Sequence, residues 1–229
     1  MLTAAAIIPS APVLVPELAG AAATEIADLR DAVLTAVAAL PDRWVAIGVD
    51  ATAAQIGPAV AGTFAGFGVD VPVALSPGTH PVDQLPLCAL ITGWVRGQVS
   101  PAAVAQVRCF SDSDVDGSVV IGRELRVELD ADPDPIGVLI VADGCHTLTP
   151  SAPGGYQPAT IAVQDALDNA LASADTAALA GLPEAVVGRV AYGVLAGLAG
   201  PAAPAPNGTT ALYRGAPFGV GYFAGVWQL

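Results

Sequence analysis

Ile136-Gly137-Val138-Leu139-Ile140-Val141-Ala142, running straight into Asp143-Gly144-Cys145-His146, is the stretch whose reading decides the fold. Seven apolar residues, several of them β-branched, read as a strand buried on both faces, as strands of parallel sheets are. The polar residues that follow mark the loop beyond its carboxyl end. Trp44–Val49 repeats the pattern and runs into Asp50, and Thr3–Ile8 is a third apolar run, stopped by Pro9. Further strands are expected at Val119–Ile121, Thr210–Tyr213 and Gly219–Trp227.

Between the strands the apolar period changes. Thr24 to Leu40 places Ile26, Leu29, Val33, Val37 and Leu40 on one helical face, with Glu25 and Asp28 near its start, where the helix dipole favours negative charge. Helices are also expected within Gln84–Val95, over Thr160–Ala172 and from Pro183 to about Leu198, and Pro201–Gly208 reads as a linker. Strands alternating with helices predict one α/β domain over residues 1–229. Its architecture is a three-layer α/β/α sandwich around a mostly parallel, mixed central sheet.

Composition excludes several classes. The 229 residues are 54% hydrophobic and 13% charged, with mean hydropathy +0.62. The apolar runs are nevertheless short. Ala4–Val15 is broken by Pro9, Ser10 and Pro12, and Val190–Ala199 is too short to span a bilayer. No basic residue precedes the first apolar run, so no signal peptide is expected, and the chain reads as cytoplasmic. A net charge of −13 with eight Lys and Arg repels phosphate backbones and anionic headgroups, so neither nucleic acid nor membrane is an expected partner. Cys88, Cys109 and Cys145 make no C-x-x-C pair and are expected as reduced, mostly buried thiols.

Sites in open α/β sheets form beyond the carboxyl ends of strands. Four such loops are readable: Pro9–Pro16, Asp50–Gln55, Ser76–Asp83 and Asp143–Tyr156. The chain has two histidines, His80 and His146, and both fall in this set. His146 has Asp143 and Cys145 close by, which offers a partner to orient or charge it. The plainer reading makes Asp143 a turn-forming residue beside an ordinary polar loop. Gly62–Gly68 is glycine-rich but lacks the Lys-Ser/Thr ending of a phosphate loop and is expected to shape a turn.

At these loops the sequence resembles a known superfamily, the class III extradiol ring-cleavage dioxygenase and Memo proteins. Ile7–Pro16 is similar to the "PH-x-P-x-x-x-P" opening of that superfamily, Ala46–Asp50 to the Memo strand ending "GPSHH", and Thr79–Pro86 to its "EHSIE-x-x-LP" segment. Val141–His146 resembles "SSDFCH", Val187-Gly188-Arg189 with Gly193–Leu195 resembles "CGR…GVL", and Gly219–Ala224 fits the closing strand. The matches keep the family's order from about residue 7 to the C-terminus. The resemblance implies a pocket histidine at His80 and a base at His146. It also implies that the metal triad is lost: the ligand positions carry Ser10, Asp50 or Ala51, and Val187.

Serine and valine cannot replace imidazole and thiolate around Fe(II), so the expectation is a divergent member without ring-cleaving activity and without a cofactor, which binds a small molecule or a protein partner. An alternative keeps an oxidoreductase, with Fe(II) or Zn(II) in a site rebuilt from Asp50, His80, Cys145 or His146, or with His146 as a metal-free base assisted by Asp143. A third reading makes the domain a homo-oligomer paired through a C-terminal edge strand bearing Tyr222, Phe223 and Trp227, although such a strand is more often core.

Overall fold

Apolar runs buried on both faces become the centre of the sheet. In the computed structural model, which describes residues 1–200 and 208–229, β1 (Leu2–Ile8), β2 (Arg43–Val49), β6 (Val104–Phe110) and β7 (Ile136–Val141) run parallel. Chain order also gives α1 (Pro16–Ala19), α2 (Ala27–Ala38), β3 (Ala54–Ile56), β4 (Ala61–Thr63), β5 (Pro72–Ala74), α3 (Leu87–Val99) and α4 (Ser118–Asp130). After β7 come α5 (Ala159–Ser173), α6 (Thr176–Leu179), α7 (Arg189–Ala199), β8 (Thr209–Gly215) and β9 (Tyr222–Gln228). The main sheet runs β3-β6-β2-β7-β1-β9-β8, its outer strands antiparallel, and β4 and β5 form a small sheet of their own. The fold is α/β with a mixed sheet whose core is parallel.

Alternation along the strands divides the core into two layers. Ala6, Ile8, Ala46, Leu139, Val141 and Ala224 face α2 and α3, against Leu29, Val33, Leu90 and Ile91. Ala5, Ile7, Val45, Ile47, Val138, Ile140 and Phe223 face α4, α5 and α7, against Leu125, Leu167, Leu171 and Leu195. α7 is buried on every side because α4 covers it at backbone distance. A Cβ on Gly122 would lie 2.1 Å from the Val194 carbonyl oxygen, and one on Gly197 would lie 2.1 Å from that of Val119. Only glycine permits that approach.

Four expectations are corrected. Val119–Ile121 is not a strand but the start of α4: Ser118, Gly122, Leu125 and Leu129 are buried at helical spacing, and Val120 points to solvent. β6 is a strand beyond those expected, its buried Ala105, Val107 and Cys109 alternating with the exposed Val104 and Gln106. The last long helix begins at Arg189 rather than Pro183, because Val186 is held in a β-bridge to Cys145. β9 lies between β1 and β8, so Tyr222, Phe223 and Trp227 are core and cannot form an edge; the edge strand on that side is β8. Gly62–Gly68 does shape a turn, with Gly68 at φ +104° closing the 3-10 turn Phe64–Phe67. Within the expected linker, residues 201–207 lie outside the described residues.

Candidate functional site

β7 ends between β1 and β2, and the loop that leaves it is fixed from four directions. The Ala142 N–H continues the ladder to the Ile8 carbonyl (3.0 Å), and the Ser10 N–H donates to Asp143 Oδ1 (2.8 Å). The segment before β9 pairs with it through Gly144 N–H to Gly221 O (2.8 Å) and Gly221 N–H to Cys145 O (2.7 Å). The turn entering α7 donates from Val187 to Gly144 O (3.1 Å) and from Gly188 to Asp143 O (2.9 Å). From α5, Gln164 Oε1 accepts the Cys145 N–H (2.8 Å) while its Nε2 donates to Asp168 (2.8 Å). The N–H groups of Ala142, Gly144 and Cys145 and the carbonyls of Ala142, Asp143, Gly144 and Cys145 all have partners, so the loop presents its side chains from a fixed main chain.

Those side chains border a hollow of ≈ 460 Å³ lined by Asp112, Asp143, His146, Glu184, Val187 and Arg189, with Pro153 and Val220 as apolar wall. Burial pushes the Asp143 carboxyl up to about 7, against the downward pull of the Ser10 N–H. It is therefore shared between its acid and its base forms near neutrality. Arg189 Nη1 donates to the Glu184 carbonyl (3.0 Å), and its Nη2 stands 3.7 Å from Asp112, so one cation faces the hollow beside two exposed acids. His146 is exposed on the rim. Its ring lies across Gly154, where a Cβ would come within 2.2 Å of His146 Cδ2. Tyr192 lies beneath the floor, buried and donating to the Ala142 carbonyl (2.9 Å).

The fold thus brings Ser10, Asp143, His146 and Val187 to one place. It leaves out Asp50 and His80. Asp50 follows β2, exposed, with its N–H on the Phe110 carbonyl (3.0 Å), and it does not line the hollow. His80 follows β5, outside the main sheet, and lines a different hollow (≈ 510 Å³) with Glu17, Trp94 and Arg96. The two histidines therefore line different hollows, which the alternative of one site rebuilt around both did not anticipate. Moreover, His80 Nε2 lies 2.8 Å from Ser76 Oγ and 3.1 Å from the Pro77 carbonyl. That carbonyl accepts only, and Ser76 gives its own hydrogen to the Pro58 carbonyl (2.8 Å), so Nε2 is the donor in both contacts.

A metal does not fit the donors present. Ser10 offers a hydroxyl and Val187 nothing, while the Cys145 thiol is buried in the core and pushed up to about 11 by that burial. Among the described residues no three His, Cys, Asp or Glu side chains are grouped to hold an ion.

Sequence reasoning missed Gln164 and Asp168. The signal was a glutamine on the buried stripe Thr160, Gln164, Leu167, Leu171 of α5. Gln164 separates the Asp143 loop from a second hollow (≈ 630 Å³), which lies between α5 and β8 and holds Asp165, Asp168, Asn169 and Arg214. Burial pushes the Asp168 carboxyl up to about 6 there.

No protein-family model matches the chain, and no curated protein matches it. In fold it is similar to the uncharacterized protein JW3007 from Escherichia coli K12. That crystal structure aligns with a TM-score of 0.55 and 12% identity over 98% of each chain. The likeness is one of fold. Among the described residues no helix is long and apolar enough to cross a membrane.

Proposed function

We propose that the chain is a divergent relative of the class III extradiol dioxygenase and Memo proteins that binds a small molecule in the Asp143–His146 hollow without cleaving rings. One observation carries this reading: the residues at two of the family's ligand positions, Ser10 and Val187, meet at the same place as Asp143 and His146. The binding cleft persists while the donors that would hold Fe(II) are gone. The occupant that suits it has an apolar body for Val187, Val220 and Pro153 and polar groups for the Asp143 carboxyl, the His146 ring and the Arg189 guanidinium.

The test is elemental analysis of the purified protein before and after anaerobic incubation with Fe(II) or Zn(II), with a catechol ring-cleavage assay on the same samples. Sub-stoichiometric metal and no cleavage are expected. About one metal per chain, lost in His146→Ala, sinks the proposal and restores a metal-dependent oxidoreductase.

A second reading is favoured by the Asp143 carboxyl at about 7, the range in which a group transfers protons efficiently at neutral pH. On this reading the hollow performs metal-free acid–base chemistry with Asp143 and His146. It predicts that Asp143→Asn keeps ligand binding and loses turnover.

A further inference from the structure

Cys88 and Cys109 stand 21 positions apart in sequence and share no motif, yet the fold places their sulfurs 3.0 Å apart. That is closer than two sulfur atoms sit in ordinary van der Waals contact. Cys88 lies in the first turn of α3 and Cys109 is the next-to-last residue of β6, so the pair bridges a helix and the sheet beneath it. Both are buried, at 1% and 2% exposure. The pair sits against β2, where Gly48 makes room for it: a Cβ there would fall 2.3 Å from Cys88 Cβ and 2.7 Å from its sulfur. The Asp50 carboxylate pushes both thiols up.

We propose that Cys88 and Cys109 are a redox modification site, joined by a reversible intramolecular disulfide when a peroxide oxidises them. The hydrogen bond between the two sulfurs holds the Cys109 thiol below its ordinary value and, together with burial, pushes Cys88 up. Cys109 is therefore the attacking sulfur. Its thiolate takes one oxygen of the peroxide, the O–O bond breaks and hydroxide leaves. The Cys88 sulfur then attacks the Cys109 sulfenic acid, the S–O bond breaks, and the departing hydroxide takes the Cys88 proton as water. Two thiols and one hydrogen peroxide, with two electrons passing to the oxygens, give one disulfide and two waters.

The bond acts on what precedes it. The segment that carries His80 runs through Pro86 directly into Cys88, so oxidation fixes the end of that segment against β6. Cys145 is the internal control, with burial and no sulfur neighbour. Because both reacting sulfurs are covered, the reaction waits on local opening at the start of α3 and runs more slowly than oxidation of an exposed thiol.

The whole chain is treated with hydrogen peroxide, denatured, alkylated with N-ethylmaleimide and weighed intact, with and without prior dithiothreitol. Oxidised monomer should take up one maleimide and lose the mass of two hydrogens before alkylation. Reduced protein should take up three, and peptide mapping should find Cys88 joined to Cys109. The closed loop is long enough that the thermal midpoint of the oxidised form should rise by about 5 °C or more, a shift absent in Cys88→Ser/Cys109→Ser. Three maleimides on oxidised wild-type protein, or a covalent dimer, overturn the proposal. So does a bond involving Cys145.

Discussion

The two histidine-bearing loops look alike in sequence and are built by opposite means. The Asp143–His146 loop leaves a strand at the centre of the parallel sheet, so β1, β9, α5 and α7 all reach it, and its main chain is fixed before any side chain is considered. The loop with His80 leaves β5, a strand of the small side sheet. It is held by its own neighbours: Ser76, Pro77, and the pairing of Ala61 with Pro81 and Asp83. The difference teaches that a motif residue acquires a site from the strand it follows. Only a central parallel strand delivers its loop to a place where several elements converge.

The largest effect that would break the contrast is electrostatic. The Asp143 carboxyl sits at about 7 in the folded chain against 3.8 for an ordinary aspartate. Between those values the folded state keeps a proton that the unfolded chain has released. Stability therefore falls as pH rises from about 4 to about 7 and levels off above. At about 1.4 kcal/mol per unit the loss reaches up to about 4 kcal/mol. Denaturation of wild type and Asp143→Asn across that range should show the variant losing most of this slope and retaining the smaller part of the same sign that comes from Asp168. Equal slopes would mean the Asp143 carboxyl is not desolvated and the loop is looser than its hydrogen bonds imply.

Steric substitution is the next test. Gly188 carries the turn into α7, and a Cβ there would lie 2.6 Å from Ala142 Cβ and 2.8 Å from the Asp143 carbonyl oxygen. Gly188→Val should cost about 3 kcal/mol because backbone must move. In the other loop Gly78, at φ +105°, has only the His80 ring within 4.0 Å. Gly78→Ala meets conformational strain alone and should cost about 1 kcal/mol. Urea midpoints give both numbers, and equal costs would erase the distinction between the loops.

Smaller again is Gln164→Leu, which keeps the volume but leaves the buried Cys145 N–H without its acceptor. A loss of about 2 kcal/mol is expected, with faster hydrogen exchange at the Cys145 amide. Unchanged exchange would show that α5 does not hold the loop.

Much of this arrangement is legible in the chain itself. The apolar runs at Thr3–Ile8, Trp44–Val49 and Ile136–Ala142 announce central strands because burial on both faces leaves no polar positions. The Asp143–His146 loop follows from strand polarity. What escapes is long-range. Val119-Val120-Ile121 is β-branched and reads locally as strand, but its partner is α7, whose glycines favour a helix packed at backbone distance. His80 sits in a segment with the right residues after the wrong strand. A glutamine on the apolar stripe of α5 marks Gln164 but not the Cys145 N–H that it holds, and the meeting of Cys88 with Cys109 leaves no mark in local sequence, since each contact depends on how separate elements pack together.

The finest test separates the two loops by what one cannot do to the other. Ser76 donates its hydroxyl hydrogen to the Pro58 carbonyl and accepts from His80 Nε2. Ser76→Ala removes both bonds in a half-buried loop and should cost about 1 kcal/mol or less. It should also free the His80 ring, which an NMR spectrum of the ring nitrogens reads directly. If the loops are separate devices, the pH dependence attributed to Asp143 stays where it is in this variant, because the Ser76 hydroxyl bonds the Pro58 carbonyl and the His80 ring and nothing in the hollow of His146. A shifted Asp143 limb in Ser76→Ala would join the two histidines into one site after all.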